Sequence, residues 1–276
     1  MAENAAQIRY RTEFIAGFEQ RESLLRKAVT TECDVKGSSA VFLVADSNGA
    51  TAVTRGLNGL IPARASNLTQ NTATLTEWHD LTRRTNFNLY TSQGDGRRIM
   101  QNDAIGVINR KIDLDIITEL NTATQDSGAV VTASLSLVMY GLAVLGNNSV
   151  PLDGNIFAAI TPAFYAYLMQ AKEFTSADYV NNQPFSSALT MFRWANVNFI
   201  VHPNLPGKGT AAEKTFMWHK DAIGHACDMG SVDIAVGVDE EQDYSWARAT
   251  GYMGTKLLQN SGVFVMNHNG AAYAAV

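Results

Sequence analysis

One long helical stripe constrains what this chain can fold into more than any other feature of its sequence. Within residues 97–122, large aliphatic side chains recur every three or four positions, with Asp113, Asp115 and Glu119 between them. This spacing places the aliphatic residues on one face of an α-helix. At 1.5 Å per residue, the predicted helix would be about 39 Å long. The stripe consists of Ile105, Ile108, Ile112, Ile116 and Leu120.

A second unusual feature is the segment "GLNGLIPARASNLTQNTATL", residues 56–75. It holds several large aliphatic residues that favour burial, yet it shows no helical or strand period long enough to bury them. It is also rich in Asn and Thr. Disordered segments seldom carry so many aliphatic side chains, so we expect this segment to pack against another surface.

The remaining pattern predicts an α+β fold. Residues 5–29 indicate an amphipathic helix or arm, and residues 72–90 resume an extended pattern. Residues 128–232 alternate strand-like and helix-like pieces, of which 220–229 is helix-like. Two final strands, "SWARATGYMGTKLL" and "GVFVMN", are predicted to form a hairpin through residues 259–262.

Composition and charge narrow the class of protein. A chain of 276 residues can form one large domain or two modest ones, and only 17% of its residues are charged. Such a weakly charged surface indicates extensive contacts, because charged residues are depleted in interfaces. The net charge of −5 does not suggest a nucleic-acid binder. Segments 1–54, 55–111 and 112–276 carry net charges of −1, +4 and −8, so copies of the chain can be complementary.

The sequence carries no signal for export or membrane insertion. Cys33 and Cys227 form no disulfide framework and fit synthesis in a reducing cytosol. The N-terminal residues alternate charged and apolar types too often for a signal peptide. The apolar run "AVVTASLSLVMYGLAVLG" approaches the length of a spanning helix, but Ser, Thr and Gly dilute it and no basic cluster flanks it. We expect a buried helix here and no contact with a membrane.

Chemical motifs are weak throughout the chain. His219, His225 and Cys227 are the best candidates for a metal ligand or a nucleophile with its base, but their spacing matches no zinc signature. Phosphate-binding loops and a nucleophile elbow are absent from the sequence. The acidic turn at 239–243 lacks calcium-loop spacing. We therefore expect no catalytic, cofactor or metal residues and no enzyme, and we keep a soluble α+β hydrolase using His225 and Cys227 as an alternative.

The order of the segments resembles the major capsid protein of tailed bacteriophages, which has the Hong Kong 97 (HK97) fold. The stretches "TRGLNGLIPARASNLTQNTATLTEWHDL" and "MQNDAIGVINRKIDLDIITELNTATQ" look like the extended loop and the spine helix of such proteins. The resemblance implies five segments. These are an N-terminal arm (1–40), a strand and extended loop (41–78), a peripheral domain with the spine helix (79–127), an axial domain (128–232), and a return to the peripheral domain with C-terminal strands (233–276).

The resemblance also implies a function. Proteins of this family form pentamers and hexamers that tile an icosahedral phage head around double-stranded DNA, without sequence-specific binding to it. The implied partners are a separate scaffolding protein, since this chain has no room for a scaffolding segment, together with a portal and a cement protein. The implied location is the virion, after assembly in the cytoplasm of a bacterial host. An encapsulin-type nanocompartment shell, which shares the fold, is the nearer alternative.

The resemblance gives the aliphatic loop a partner, namely the surface of a neighbouring subunit. Two extended arms of about 14 residues each would reach about 46 Å, beyond the radius of a compact domain.

Some relatives crosslink a loop Lys to a neighbour's Asn, but no Lys lies between Lys36 and Lys111, so stability must be noncovalent. By resemblance, Asp113, Asp115 and Glu119 would lie along the long edge of the subunit. We expect the inter-subunit contacts to include Arg55, Leu57, Leu60, Ile61, Arg64, Leu68, Arg83, Arg84, Glu240 and Glu241, with arginines paired to a neighbour's carboxylates.

Overall fold

The computed structural model describes residues 20–47, 49–63, 67–91, 96–175, 191–228 and 233–273. Its helices are α1 (Asn86–Thr91), α2 (Gly96–Leu120), α3 (Leu135–Asn147), α4 (Pro162–Gln170) and α5 (Lys172–Thr175). Its strands are β1 (Thr30–Glu32), β2 (Ser39–Asp46), β3 (Asn67–Thr74), β4 (Thr76–Thr85), β5 (Val131–Thr132), β6 (Ile156–Ile160), β7 (Met191–Trp194), β8 (Val197–Val201), β9 (Glu213–His219), β10 (Ile223–Cys227), β11 (Asp233–Asp239), β12 (Tyr244–Leu257) and β13 (Val263–Asn269). Among the residues described, these strands form three sheets.

The predicted long helix is confirmed as α2. Its aliphatic stripe is buried at Ile108, Ile112, Ile116 and Leu120, and the helix packs mainly on β12. Gly251 of β12 faces the helix, since a Cβ built there would lie in van der Waals contact with the Ile108 methyl group, 3.4 Å away. The helical period of the sequence therefore locates the centre of the larger core.

The sheet beneath α2 is organised by the long strand β12. One edge of β12 pairs with β4, and its other edge pairs with β11 and then with β10. Strand β1 adds to β10 in parallel. On the α2 side, Ala247 and Ala249 of β12 are buried, and these small side chains bring the helix close to the sheet.

A six-stranded sheet in the order β5-β13-β9-β6-β8-β7 carries the second core. Strand side chains alternate between its two faces. One face packs on α3 and α4, with Phe164 and Phe199 fully buried, and the other face joins the α2 core through Phe216 and Trp218. Helix α4 begins with Pro162 in its first turn, and the Thr161 hydroxyl accepts a hydrogen bond from the Phe164 N–H at 3.1 Å.

Two local predictions are wrong. Residues 220–229 are not helical: one 3₁₀ turn, Lys220–Ala222, leads into strand β10. A helix is excluded here because β10 lies between β1 and β12 and is covered by Phe42 of β2. The last two strands do not form a hairpin, since β12 and β13 belong to different sheets and a 3₁₀ turn at Asn260–Gly262 joins them.

Two further expectations are modified. The extended pattern of residues 72–90 ends at Thr85, where α1 begins, and residues 20–29 form a single 3₁₀ turn at Arg26–Ala28 instead of an α-helix. The rest of the predicted arm lies outside the described residues.

The domain boundaries stay a prediction, but the sheets do not divide at residue 232, because β10 pairs with β12 and β13 pairs with β9. Of the helices described, none combines the length and apolar character needed to cross a membrane.

Candidate assembly surface

Strands β2 and β3 form a two-stranded ribbon with one covered face and one open face. On the covered face, Ala40 and Ala73 pack on Ala226 of β10, and the Phe42 ring lies over Gly224, where a Cβ would come within 2.9 Å of it. The register pairs Ala40 with Ala73 and alternates side chains between faces. The small residues of β10 therefore hold the ribbon against the body of the molecule.

The open face of the ribbon is apolar and uncovered. Val41, Leu43 and Leu68 are all more than half exposed. They lie on the same face because Leu68 pairs with Ala45, two residues along β2 from Leu43. Val41 and Leu43 were not among the predicted contact residues. They alternate with Phe42 and Val44 along β2, and this alternation indicates that the two faces of the strand have different surroundings.

The loop joining the ribbon strands exposes the aliphatic residues that the sequence singled out. Leu57 is fully exposed, and Leu60 and Ile61 are 73% and 64% exposed. A local turn shapes the loop tip (residues 56–61): the Gly56 N–H donates to the Leu60 carbonyl at 3.0 Å. Arg55 is exposed beside this turn, and Arg64 lies outside the described residues. Within one subunit, Arg55, Leu57, Leu60 and Ile61 are therefore left without cover.

Four of the predicted charged contacts, Arg83, Arg84, Glu240 and Glu241, lie at one end of the five-stranded sheet. Antiparallel pairing of β4 with β12 brings Arg83 beside Tyr244, with the guanidinium 5.1 Å from the ring centre. The pKa of Asp239 is lowered mainly by the Gln242 N–H, then by the Tyr244 hydroxyl, with a contribution from Arg83. Arg83 thus lies near the acidic turn of its own chain. Arg84 is half-buried on the opposite face of β4, and Glu240 and Glu241 are exposed in the turn.

Asp113, which the resemblance placed along the long edge of the subunit, lies at the centre of a buried network. Its carboxylate accepts from Ser23 Oγ at 2.5 Å, from the N–H groups of Leu24 and Leu25 at 3.0 and 3.1 Å, and from the Gln20 side chain. It is completely buried. Asp115, by contrast, pairs near the surface with Lys111 at 2.7 Å, and Glu119 accepts from the Leu257 N–H at 3.2 Å.

His202 completes the Asp113 network from the six-stranded sheet. Its Nδ1 accepts from the Asn204 N–H at 3.1 Å, so its Nε2 carries the proton and donates to Asp113 at 3.2 Å. Burial alone would raise the pKa of Asp113, but the hydrogen bonds from His202, Ser23 and the two backbone N–H groups together lower it. We call residues 20–33, which Asp113 holds against α2, the arm base.

The position of Asp113 could have been found in the sequence. Ile116 and Ile117 follow it at the third and fourth positions and are both buried, so Asp113 shares their helix face. An acid on that face must be hydrogen-bonded. Its partners in the arm base and at residue 202 are 88 to 93 positions away, and local patterns do not identify them.

The geometry around His225 and Cys227 does not suit a nucleophile and its base. Burial and the nearby Arg26 lower the pKa of His225 to about 4, and its Nδ1 contacts Thr255 Oγ1 at 3.0 Å. Burial and a hydrogen bond with Cys33 raise the pKa of Cys227 to about 12, the opposite of an activated thiol. No cluster of three or more metal-ligating side chains occurs among the residues that the structure describes.

Comparison with known proteins identifies the class of protein to which this chain belongs. The sequence matches the phage capsid protein family over residues 2–269, and the chain belongs to that family. No curated protein matches it. The family is one of structural proteins, which points to a non-enzymatic role, and the match does not favour the nanocompartment alternative.

Solved capsid structures share the fold over nearly the full chain. A structure from Mycobacterium phage Che8 has a TM-score of 0.78 at 15% identity and covers 96% of this chain and 98% of its own. The cyanophage Pam1 capsid has a TM-score of 0.73 at 11% identity, covering 98% of each chain. The capsid of a native GTA particle has a TM-score of 0.71 at 13% identity, covering 97% of each. The predicted α+β architecture of the HK97 type is confirmed.

Proposed function

We propose that this chain is the major capsid protein of a tailed phage, which assembles into pentamers and hexamers of an icosahedral head enclosing double-stranded DNA. Membership of the phage capsid family supports a place in the virion capsid. Assembly in the cytoplasm of a bacterial host, and partnership with a separate scaffolding protein, a portal and a cement protein, belong to the same proposal. In it, the shell encloses DNA without reading its sequence.

One observation carries the assembly proposal: the loop tip and the open face of the ribbon expose large aliphatic residues on a single subunit. Scattered exposed aliphatics are ordinary, but contiguous apolar surface usually marks an interaction site. Full burial of one Leu or Ile side chain is worth about 1.5–3 kcal/mol. Leu57, Leu60 and Ile61 therefore gain several such increments if the loop lies across a neighbouring subunit.

The distribution of charge along the chain also supports a loop that lies across a neighbouring subunit. The loop tip and strands β3 and β4 lie in the basic segment, residues 55–111, and the acidic turn lies in the acidic segment, residues 112–276. We propose that Arg55, Arg64, Arg83 or Arg84 contacts Glu240 or Glu241 of an adjacent subunit. Each exposed pair contributes about 0–1 kcal/mol, but a shell repeats the pair in every subunit and so adds avidity.

The test is a triple substitution at the loop tip, Leu57→Ser, Leu60→Ser and Ile61→Ser. Since all three side chains are exposed, the variant subunit should fold with an unchanged Tm. Shells should be lost, as measured by negative-stain microscopy and size-exclusion chromatography. The matched control is Leu152→Ser, which removes a comparably exposed side chain (55%) from a turn preceding β6. Substituting these three residues is preferable to deleting residues 55–75, because the deletion removes β3.

Normal shells from the triple variant would refute the loop proposal. To test DNA enclosure, particles from a lysed culture of the phage encoding this protein should be treated with nuclease, and protected double-stranded DNA should remain inside. A shell of this chain filled with a foreign protein instead of DNA would support the encapsulin-type alternative.

A further inference from the structure

Cys33 and Cys227 lie side by side where β1 and β10 end. The parallel register of these strands reaches Glu32 opposite Ala226, so the next two residues in register are the cysteines. Their Sγ atoms are 2.9 Å apart, and both thiols are free. A disulfide requires sulfurs about 2.05 Å apart and Cα atoms about 4.4–6.8 Å apart, a spacing that neighbouring strands about 4.8 Å apart supply. A shift of about 0.9 Å would close the bond.

The surroundings distinguish the two thiols. Arg26 of the arm base places Nη2 3.3 Å from each sulfur, and a nearby cation favours the reactive thiolate. Cys33 is half-buried, whereas Cys227 is buried. The cavity beside Cys227 has a volume of about 50 Å³, enough for a few water molecules but too small for a peptide. A peptide-sized oxidant therefore reaches Cys33 first.

We propose that Cys33 and Cys227 are a redox modification site, which a small-molecule disulfide such as oxidised glutathione converts into an intrachain disulfide joining the arm base to β10. The proposed disulfide lies within one subunit and does not depend on the proposed capsid function. It would add a covalent element to a chain whose loop contains no Lys for crosslinking.

The reaction proceeds by two thiol–disulfide exchanges. The Cys33 thiolate attacks one sulfur of oxidised glutathione, releases one glutathione thiolate and keeps the other glutathione as a mixed disulfide. The Cys227 thiolate then attacks Cys33 Sγ, and the second glutathione thiolate leaves. The two protein thiols lose two electrons, which the oxidant gains, and their two protons pass through water to the released glutathione. Because the pKa of Cys227 is raised to about 12, the second step should be slow at neutral pH and faster at higher pH.

The bond would fix a segment that already contributes to the core. Leu25, Ala28 and Val29 of the arm base are buried, and the Trp218 indole N–H donates to the Ala28 carbonyl at 2.9 Å. The cysteines are 194 positions apart. Closing so long a loop restricts the unfolded chain strongly, and we expect the Tm to rise by about 5–10 °C.

The experiment treats the full-length protein with oxidised glutathione at pH 8, then blocks the remaining thiols with a maleimide. Intact mass spectrometry should show the loss of two hydrogen atoms and no added glutathione, and digestion should yield a peptide pair joining Cys33 to Cys227. Formation should be faster at pH 9 than at pH 7. The oxidised protein should show the higher Tm, and dithiothreitol should reverse it.

Cys33→Ser is the matched control, because that residue is partly exposed and the variant keeps the buried Cys227. It should show neither the linked peptides nor the rise in Tm. Arg26→Met should slow the formation of the bond while giving the same product. Two free thiols after treatment, a glutathione adduct on Cys33 that never resolves, or disulfides only between chains would each overturn the proposal.

Discussion

Replacing Asp113 by Asn should detach the arm base from α2 with little change in the shape of the buried site. The carboxylate accepts five hydrogen bonds, and two of them come from the backbone N–H groups of Leu24 and Leu25. An Asn amide keeps only one acceptor oxygen and turns an NH₂ group towards donors. At least two of the five bonds are therefore lost.

The size of the expected loss in unfolding free energy follows from the negative charge of the Asp113 carboxylate, which accepts these hydrogen bonds. A hydrogen bond to a charged group contributes about 1.5–3 kcal/mol, so losing two should lower the free energy of unfolding by about 3–6 kcal/mol. For a chain of 276 residues, such a loss lowers the Tm by about 5–10 °C. The matched control is Asp115→Asn on the same helix. It breaks only a near-surface pair with Lys111, which is worth about 0.3–0.5 kcal/mol.

Urea unfolding of the unassembled subunit, followed by tryptophan fluorescence, is a suitable assay. Trp218 is buried and bonded to the arm base through Ala28, so its emission reports on the segment that Asp113 holds. The prediction is refuted if Asp113→Asn and Asp115→Asn unfold at the same urea concentration.

The same variants predict a pH dependence. Because the pKa of Asp113 is lowered below its usual value of 3.8, its stabilisation is complete above that value and is lost as the pH falls through the folded-state pKa. The difference in stability between wild type and Asp113→Asn should stay constant from neutral pH to about pH 4 and shrink below it. A difference that persists unchanged in strong acid would show that the charge of Asp113 is not what stabilises the arm base.

Two further predictions concern the helix and the charged contacts. Ile112→Asp should lower the free energy of unfolding of the subunit by several kcal/mol, since it buries an unpaired charge. Leu114 is exposed on the same helix, so Leu114→Asp should have little effect. Equal urea midpoints for the two variants would contradict this prediction. Arg83→Glu should weaken assembly most at low ionic strength, and Glu241→Arg should partly restore it. A lower subunit Tm with normal assembly would instead place the Arg83 contact within one chain.

Much of the helical structure could be predicted from the sequence because its signals are local. The α2 stripe repeats within a single segment, so its period fixes both the element and its buried face. Helix α4 is similarly marked by Thr161 and Pro162 at its start. The exposed aliphatics of the loop tip were also evident, because a segment that lacks a period cannot bury Leu57 and Leu60 by itself.

The errors lie where distant segments decide the structure. Strand β10 looked helical because Gly224 and Ala226 are small and His225 and Cys227 have no period of their own. These residues are small because the ribbon packs on one face of β10, with the Phe42 ring over Gly224. Strand preference depends on such neighbours more than helix preference does. The short connection at 259–262 was equally ambiguous, since the length of a turn does not specify which sheet the next strand joins.

Asp113 shows how a single buried charge can specify an arrangement that local patterns leave open. Its carboxylate joins three segments that are far apart in sequence: the arm base, the middle of α2, and His202 after β8. A purely apolar contact would tolerate a shift of the arm base by one residue, because neighbouring aliphatics can exchange places. The hydrogen bonds do not tolerate it, since a shift removes the N–H groups of Leu24 and Leu25 from a buried carboxylate that must keep its donors. We infer that Asp113 fixes the register of the arm base on α2; Asp113→Leu, which leaves these buried donors without an acceptor, should both displace the arm base and destabilise the subunit.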